Sequence, residues 1–210
     1  MSSADLATTC FAVQLLVGAI LVIGRLRSPY GKFRTGAGVN SRAGLALAYA
    51  TPVFVYIALW VEGGSPRTLY HLAVFGALLF HFVRRILEIS FLNSYSRPTP
   101  LRTLVFIAFL YGGLAASCAF FQVRTFGRPT AQPIFILGVF TFVFGEVLNG
   151  YHHWLLARLR PLGVRVYTVP RRGLFGWVAC AHYLGEILSF VGYAMMSNLM
   201  VWRGTSGAIV

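Results

Sequence analysis

Long apolar stretches alternate with short polar ones along the whole chain. A helix needs about 20 mostly apolar residues to cross a bilayer. The short breaks contain glycine, proline or arginine, which are typical of loops. The pattern predicts six transmembrane helices, over residues 6–24, 44–61, 68–92, 103–123, 133–159 and 174–202.

The predicted fold class is therefore all-α, a polytopic membrane helix bundle. No break is long enough to be a linker between domains, and no internal repeat is visible. Residues 1–210 are predicted to form a single transmembrane domain. The N-terminus lacks a positive region before its apolar stretch, so we expect the first segment to stay as a helix and not to be cleaved as a signal.

The composition supports a membrane protein. Hydrophobic residues make up 57% of the chain and charged residues 11%, whereas a soluble domain carries about a quarter charged residues. The cysteines Cys10, Cys118 and Cys180 are scattered inside apolar segments. They are expected to be buried thiols, because neither a disulfide framework nor a zinc site has this spacing.

The net charge of +13 is distributed unevenly between the predicted loops. Twelve Lys and Arg residues fall in the loops after the first, third and fifth segments, against four elsewhere outside the helices. The positive-inside rule places those three loops in the cytoplasm, or in the mitochondrial matrix, and both termini on the opposite side. No nucleic-acid-binding module accompanies the charge, so nucleic acid is excluded as a partner.

A few polar residues lie within the predicted helices at helical spacing. Charge at membrane depth is costly unless it is paired or hydrated. Three pairs of these residues are spaced to share a helix face. Each pair is either a structural contact that sets helix packing or part of a hydrated cavity for a polar ligand, and spacing alone leaves both interpretations open. The pairs are Arg84 and Glu88, Glu146 and Asn149, and His182 and Glu186.

Haem and metal binding are weaker alternatives for these residues. His81 and His182 could face each other as axial ligands, but His152 and His153 are adjacent and point to different helix faces. The Glu-x-x-His repeats of di-iron bundles are missing. The only aspartate, Asp5, lies near the N-terminus, so a Ser–His–Asp triad is not supported.

The loop between the fifth and sixth segments reads RLRPLGVRVYTVPRRG, residues 158–173. Arginine binds phosphate with two parallel hydrogen bonds. A helix predicted to start at Leu174 would add an N-terminus that favours anions. The loop is either an anion site, for a phosphate-bearing cofactor or an anionic lipid, or a basic loop that only orients the helices.

The residues around this loop follow a recognisable order. RLRPLG at 158–163 is followed by Tyr167, Pro170, GLF at 173–175, YLGEI at 183–187 and GYA at 192–194. This order resembles the C-terminal half of the steroid 5α-reductase family, which includes polyprenol reductase and very-long-chain enoyl-CoA reductase. The N-terminal half is similar more loosely. Its matching elements are YGKF at 30–33, Pro52, HFVRR at 81–85 and LN at 92–93, so residues 133–202 are the most reductase-like part.

The resemblance implies a fold, a cofactor and a reaction. The family has seven membrane helices, binds NADPH in a cavity open to the cytosol, and reduces a polarised C=C bond. Carried over by position, the residues expected to face the cofactor are Asn149, Arg160, Tyr167, Arg171, Gly173, His182 and Glu186.

The chain departs from the family at the positions that carry the chemistry. The substrate-activating Gln-Glu pair of the family corresponds to Tyr49 and Ala50, and its catalytic tyrosine corresponds to Phe82. Alanine cannot orient a carbonyl, and phenylalanine lacks the hydroxyl that a proton donor needs. The resemblance therefore implies no catalytic residue at the expected positions.

The chain also departs from the family at positions expected to bind the cofactor. His182 replaces a cofactor-binding asparagine, and His153 replaces an acidic residue. The chain stops at Val210, soon after the sixth segment. We therefore expect a shortened, divergent member of the family that lacks the last helix.

Two functional hypotheses follow. In the first, the chain is a non-catalytic membrane subunit without a cofactor, held by lipids and other subunits of a larger assembly, such as a respiratory-type complex of the mitochondrial inner membrane. In the second, it is an NADPH-dependent reductase of a steroid, polyprenol or enoyl-CoA substrate in the endoplasmic reticulum. The second hypothesis needs a replacement for the lost acid, and Tyr49 and His81 are the candidates.

Overall fold

The fold was analysed in a computed structural model that describes residues 37–64, 68–95, 97–124, 132–159 and 168–197. These residues are almost entirely helical, which confirms the predicted all-α class for this part of the chain. The helices are α1 (Ser41–Glu62), α2 (Leu69–Leu87), α3 (Leu101–Arg124), α4 (Gln132–Arg158) and α5 (Ala181–Met196). A π-helical turn, Glu88–Leu92, continues α2, and a 3-10 turn, Gly173–Gly176, precedes α5.

Each predicted apolar segment within the described residues contains a helix, and the segment over residues 6–24 lies outside them. Three of the described helices are long and apolar enough to cross a membrane. They are Ser41–Glu62, Leu101–Phe120 and Gln132–Arg158. The predicted total of six helices and the expected lack of a seventh stay predictions.

The predicted start of the last helix at Leu174 is wrong. The chain there forms only the 3-10 turn, and α5 begins at Ala181. Gly173 has φ +62, a left-handed conformation that interrupts a right-handed helix. The backbone N–H of Leu174 donates to His152 Nε2 at 3.0 Å. No helix N-terminus at Leu174 therefore adds to an anion site, and the anion site formed by the arginines of this loop stays a prediction.

The start of α1 is held in place by the segment that leads into α3. The Asn40 side chain caps α1 by accepting a hydrogen bond from the Ala43 N–H at 3.1 Å. Val39 and Thr99 exchange two backbone hydrogen bonds, each of 2.9 Å. Ser41 Oγ lies 2.6 Å from Thr99 Oγ1. These contacts place the first turns of α1 and α3 side by side.

Helices α4 and α5 pack more extensively than any other described pair, because glycines face each other between them. A Cβ atom on Gly185 would lie 2.4 Å from the Asn149 backbone N, and one on Gly145 would lie 2.3 Å from the Ser189 N. Small residues let two membrane helices approach to backbone contact. The α4–α5 interface therefore requires glycine.

The described helices define two ends of the bundle. At the basic end, α1, α3 and α5 begin and α2 and α4 finish; at the far end the directions are reversed. The basic end corresponds to the side that the sequence predicts to be cytoplasmic or matrix-facing. Its exposed arginines among the described residues are Arg42, Arg97, Arg102, Arg158, Arg171 and Arg172.

Candidate functional site

Arg84 joins α2 to α4 near the basic end. Its Nε donates to Glu146 Oε2 at 2.7 Å, and its Nη2 donates to Asn149 Oδ1 at 2.7 Å. Its third nitrogen is bonded to Glu88, which confirms the pair predicted from their spacing. The predicted shared face of Glu146 and Asn149 is confirmed too, because both side chains are buried and contact the same guanidinium.

The charges around Arg84 are satisfied by one another. Glu146 Oε1 lies 2.6 Å from His81 Nδ1, so both oxygens of this buried carboxylate have partners. Glu88 also binds Arg85. Two arginines therefore face two glutamates, which limits the cost of burying these charges. We call Arg84, Arg85, Glu88, Glu146 and His81 the ionic network.

Asn149 links the ionic network to α5. Its Nδ2 donates to the His182 backbone carbonyl at 2.7 Å. Its Oδ1 is already bound to Arg84. The amide thus connects α2, α4 and α5, and the absence of a side chain at Gly185 allows this approach.

Glu186 does not pair with His182 as their spacing predicted. Its Oε1 accepts a hydrogen bond of 2.6 Å from the Tyr111 hydroxyl of α3. The His182 ring lies 4.2 Å from the Tyr183 ring and 5.0 Å from the His153 ring, measured between centroids. Its Nδ1 has no hydrogen-bond partner among the described residues.

An aromatic cluster of Tyr49, Phe82 and Tyr111 lies where α1, α2 and α3 meet. The Tyr111 centroid is 5.1 Å from that of Tyr49 and 5.5 Å from that of Phe82. The Arg85 guanidinium carbon stands 5.3 Å from the Tyr49 centroid, a cation–π distance. The cluster therefore touches the ionic network on one side and, through Tyr111, Glu186 on the other.

The expected catalytic positions and several expected cofactor positions thus meet in one region. Phe82 is 1% exposed, and Ala50 lies half-buried beside Tyr49 without a polar group. Asn149, His182 and Glu186 lie on the adjoining faces of α4 and α5.

The remaining expected cofactor residues lie towards the basic end or outside the described ranges. Gly173 sits over the His152 ring, since a Cβ there would be 2.9 Å from His152 Nε2. Arg171 is exposed next to it. Arg160 and Tyr167 lie outside the described residues.

Comparison with known proteins identifies the family. The family model described as 3-oxo-5-alpha-steroid 4-dehydrogenase matches residues 97–203. Type 2 of that enzyme from Sus scrofa is 30% identical over 193 residues, which are 85% of this chain and 74% of the relative. The chain belongs to this family. The predicted resemblance to the steroid 5α-reductase family is confirmed.

Other relatives show how broad the similarity is. The type 1 enzyme of Bos taurus is 27% identical over 205 residues, 91% of this chain and 75% of the relative. A very-long-chain enoyl-CoA reductase of Dictyostelium discoideum is 28% identical over 159 residues, 72% of this chain and 53% of the relative. Together with the apolar helices, these relatives identify the chain as an integral membrane protein.

Sequence reasoning missed Tyr111 as a member of the site. It is a lone tyrosine in an apolar segment, and its partner Glu186 lies 75 positions later. The only signal was a hydroxyl at membrane depth, which usually finds a partner when it is buried. The contact of His81 with Glu146 was missed for the same reason, since it joins separate helices.

Proposed function

We propose that the chain is an NADPH-dependent membrane reductase that reduces a C=C bond conjugated to a carbonyl in a lipid substrate of the 3-oxo steroid or enoyl-CoA class. The supporting observation is that the aromatic cluster and the α5 face with His182 and Glu186 are in contact. The Tyr111–Glu186 hydrogen bond joins the aromatic cluster to the α5 face that carries His182. Family membership supports the same reaction class.

The residues at the α4–α5 face fit a nucleotide cofactor. His153 Nε2 and His182 Nδ1 are buried and have no hydrogen-bond partner among the described residues. Buried polar atoms in this state are costly unless a ligand or water satisfies them. The two imidazoles would hold polar groups of the cofactor, and the exposed Arg171 would attract its phosphates.

NADPH, when bound, supplies the hydride for such a reduction. The protein has to hold the substrate next to it and to exclude water. The buried Phe82 presents an apolar wall on the α2 side of the aromatic cluster. Asn149 is fixed by Arg84 and His182, so the α4–α5 face is rigid before any ligand binds.

The test is NADPH oxidation by the purified protein with two probes, a 3-oxo-4-ene steroid and a trans-2-enoyl-CoA. We expect turnover of one of them and saturable NADPH binding. His182→Ala should weaken NADPH binding, whereas Trp177→Ala, a change of a residue before α5 that is 90% exposed, should leave it unchanged. Absence of both binding and turnover with both probes would contradict the proposal.

A second candidate function is that of a non-catalytic reductase-like subunit of a larger membrane complex. It is favoured by Ala50 and Phe82, which carry no acid at the positions where the resemblance expects one. A lateral groove of about 550 Å³ between α2 and α4 also suits lipid. Its apolar lining includes Gly76, Ala77, Phe80, Phe142, Val143 and Val147.

Purification from native membranes separates the two candidates. A subunit would co-purify in constant stoichiometry with other membrane proteins and retain lipid, and it would not oxidise NADPH with either probe. A reductase would turn over in isolation. Fractionation of the same membranes distinguishes the endoplasmic reticulum from the mitochondrial inner membrane.

A further inference from the structure

We infer that Tyr111 is the residue that binds the substrate carbonyl oxygen, and that Glu186 positions it. This inference rests on the reductase function proposed above and names a residue that carries the missing hydroxyl. The contact between the Tyr111 hydroxyl and Glu186 Oε1, at 2.6 Å, is the starting point.

The reaction class creates the need for such a group. Adding a hydride to a C=C bond conjugated to a carbonyl moves negative charge onto the carbonyl oxygen. A positioned donor that binds this oxygen stabilises the developing charge. The product also gains one proton, which water supplies in the overall balance of substrate, NADPH and H⁺ to reduced substrate and NADP⁺. Tyr111 is proposed here only as the hydrogen-bond donor.

The packing around Phe82 points to Tyr111. Phe82 offers no hydroxyl, but the Tyr111 ring lies edge-on to it at 5.5 Å and 75°. Tyr111 therefore belongs to the same cluster as Phe82, carries a hydroxyl, and comes from a different helix, α3. It also touches α5, on which His182 stands one turn before Glu186.

The two sequence-based candidates for the acid are less suitable. His81 is 1% exposed, bound to Glu146, and enclosed by the rings of Phe82 and Phe190 at 5.1 and 4.9 Å. Tyr49 is 9% exposed and its ring is covered by Arg85. The Tyr111 side chain is only partly buried and is more exposed than either of these two residues.

Before substrate binds, the Glu186 carboxyl accepts the phenol hydrogen bond and so sets the position of the Tyr111 hydroxyl; when a carbonyl binds, the phenol hydrogen turns to it. Arg85 lies close enough to both Tyr49 and Glu186 to interact with them electrostatically. This positive charge supports the carboxylate once the phenol hydrogen has turned to the ligand. The cluster thus contains a donor, a positioning group and a compensating charge.

The experiment compares the wild type with Tyr111→Phe and, as a matched control, Tyr70→Phe at the far end of α2. The probes are a 3-oxo-4-ene steroid and a trans-2-enoyl-CoA, each with a ¹³C-labelled carbonyl. Infrared difference spectra report the carbonyl stretch of the bound probe with oxidised cofactor present. NADPH oxidation gives kcat.

We expect the carbonyl stretch to be lowered in the wild type and in Tyr70→Phe, and this lowering to be lost in Tyr111→Phe. Loss of one donor to a developing oxyanion reduces kcat by about 100- to 1,000-fold. Glu186→Gln keeps an acceptor for the phenol, so its kcat and carbonyl stretch should lie nearer the wild type than those of Glu186→Ala.

The outcomes distinguish this inference from the function on which it rests. An unchanged carbonyl stretch and unchanged kcat in Tyr111→Phe would overturn the role of Tyr111 and leave the reductase standing. A wild type that neither binds nor reduces either probe would overturn both. If Tyr111→Phe does not fold, replacing Tyr111 by a fluorinated tyrosine keeps the shape and changes only the donor strength. The carbonyl stretch must then change with it.

Discussion

Polar groups at membrane depth are stabilised differently at the two ends of the bundle. Near the basic end the polar groups are ions, and Arg84 alone binds three acceptors. At the far end, the buried polar groups of the described residues are neutral. The Tyr56 hydroxyl bonds to Gln122 and lies 3.1 Å from the Tyr193 hydroxyl, while Gln122 Nε2 donates to the His71 carbonyl at 3.1 Å.

The difference shows that, among the described residues, buried charged side chains are confined to the basic end. A neutral cluster of hydroxyls and an amide is sufficient to fasten α1, α2, α3 and α5 to one another, and membrane hydrogen bonds of this kind stabilise by about 0.6 kcal/mol on average. Buried ions offer no advantage over such contacts for stability alone. Their presence only near the aromatic cluster and the α4–α5 face, within the described residues, supports assigning this end to function.

The largest effect is expected where a charge loses its partner. Glu146→Ala leaves Arg84 Nε and His81 Nδ1 without the carboxylate that both contact. Breaking a buried pair in this way costs about 3–5 kcal/mol. The free energy of unfolding in mixed micelles measures it, and Glu62→Ala, at an exposed glutamate at the end of α1, should change it by less than about 0.5 kcal/mol.

If Glu146→Ala and Glu62→Ala both lowered the free energy of unfolding by a similarly small amount, the ionic network would not be a set of charges that satisfy one another. Glu146→Gln sharpens the test, because it keeps the volume and removes only the charge. We expect it to fall between the wild type and Glu146→Ala.

An intermediate effect is expected at the glycine that lets Asn149 reach α5. In Gly185→Ala the new Cβ would meet the Asn149 backbone N at 2.4 Å, and the helices must separate. Overpacking of this kind costs about 1–3 kcal/mol. Gly76→Ala is the matched control, because nothing lies within 4 Å of its Cβ position.

Alanine is a better helix former than glycine by about 1 kcal/mol, so Gly76→Ala should stabilise α2 slightly. Thermal unfolding of the two variants in one detergent gives the comparison. Equal melting temperatures would show that α4 and α5 can move apart freely, against the close interface described above.

The smallest effect is expected at the far end. Tyr56→Phe removes a hydroxyl that bonds to Gln122 and leaves the aromatic packing against Phe75, at 5.2 Å, intact. The loss should be about 1 kcal/mol, in the range measured for hydrogen bonds between membrane helices. Tyr151→Phe, at a tyrosine that is 46% exposed, serves as the control in the same unfolding assay. A loss as large as that of Glu146→Ala would remove the contrast between the two ends.

Helix positions were predictable because a single local property, an apolar run of about 20 residues, determines them. The Arg84–Glu88 pair was predictable too, since neighbours on one helix are set by its pitch. The start of α5 was not predictable from the sequence. The residues before it form a 3-10 turn whose Leu174 N–H donates to His152, a residue of another helix, and such a contact is not visible in the local sequence.

The sequence by itself determined the apolar helices, the basic loops and the family motif, because these are properties of consecutive residues and of their order. Only the tertiary structure decided the partners across helices. Glu146 contacts His81 and Arg84 on another helix. Glu186 accepts a hydrogen bond from Tyr111 and does not pair with His182. Helical spacing shows which residues share a face, whereas a contact between faces depends on how the helices pack. Phe82 is an example, because its ring packs edge-on against that of Tyr111, a residue of a different helix that carries a hydroxyl.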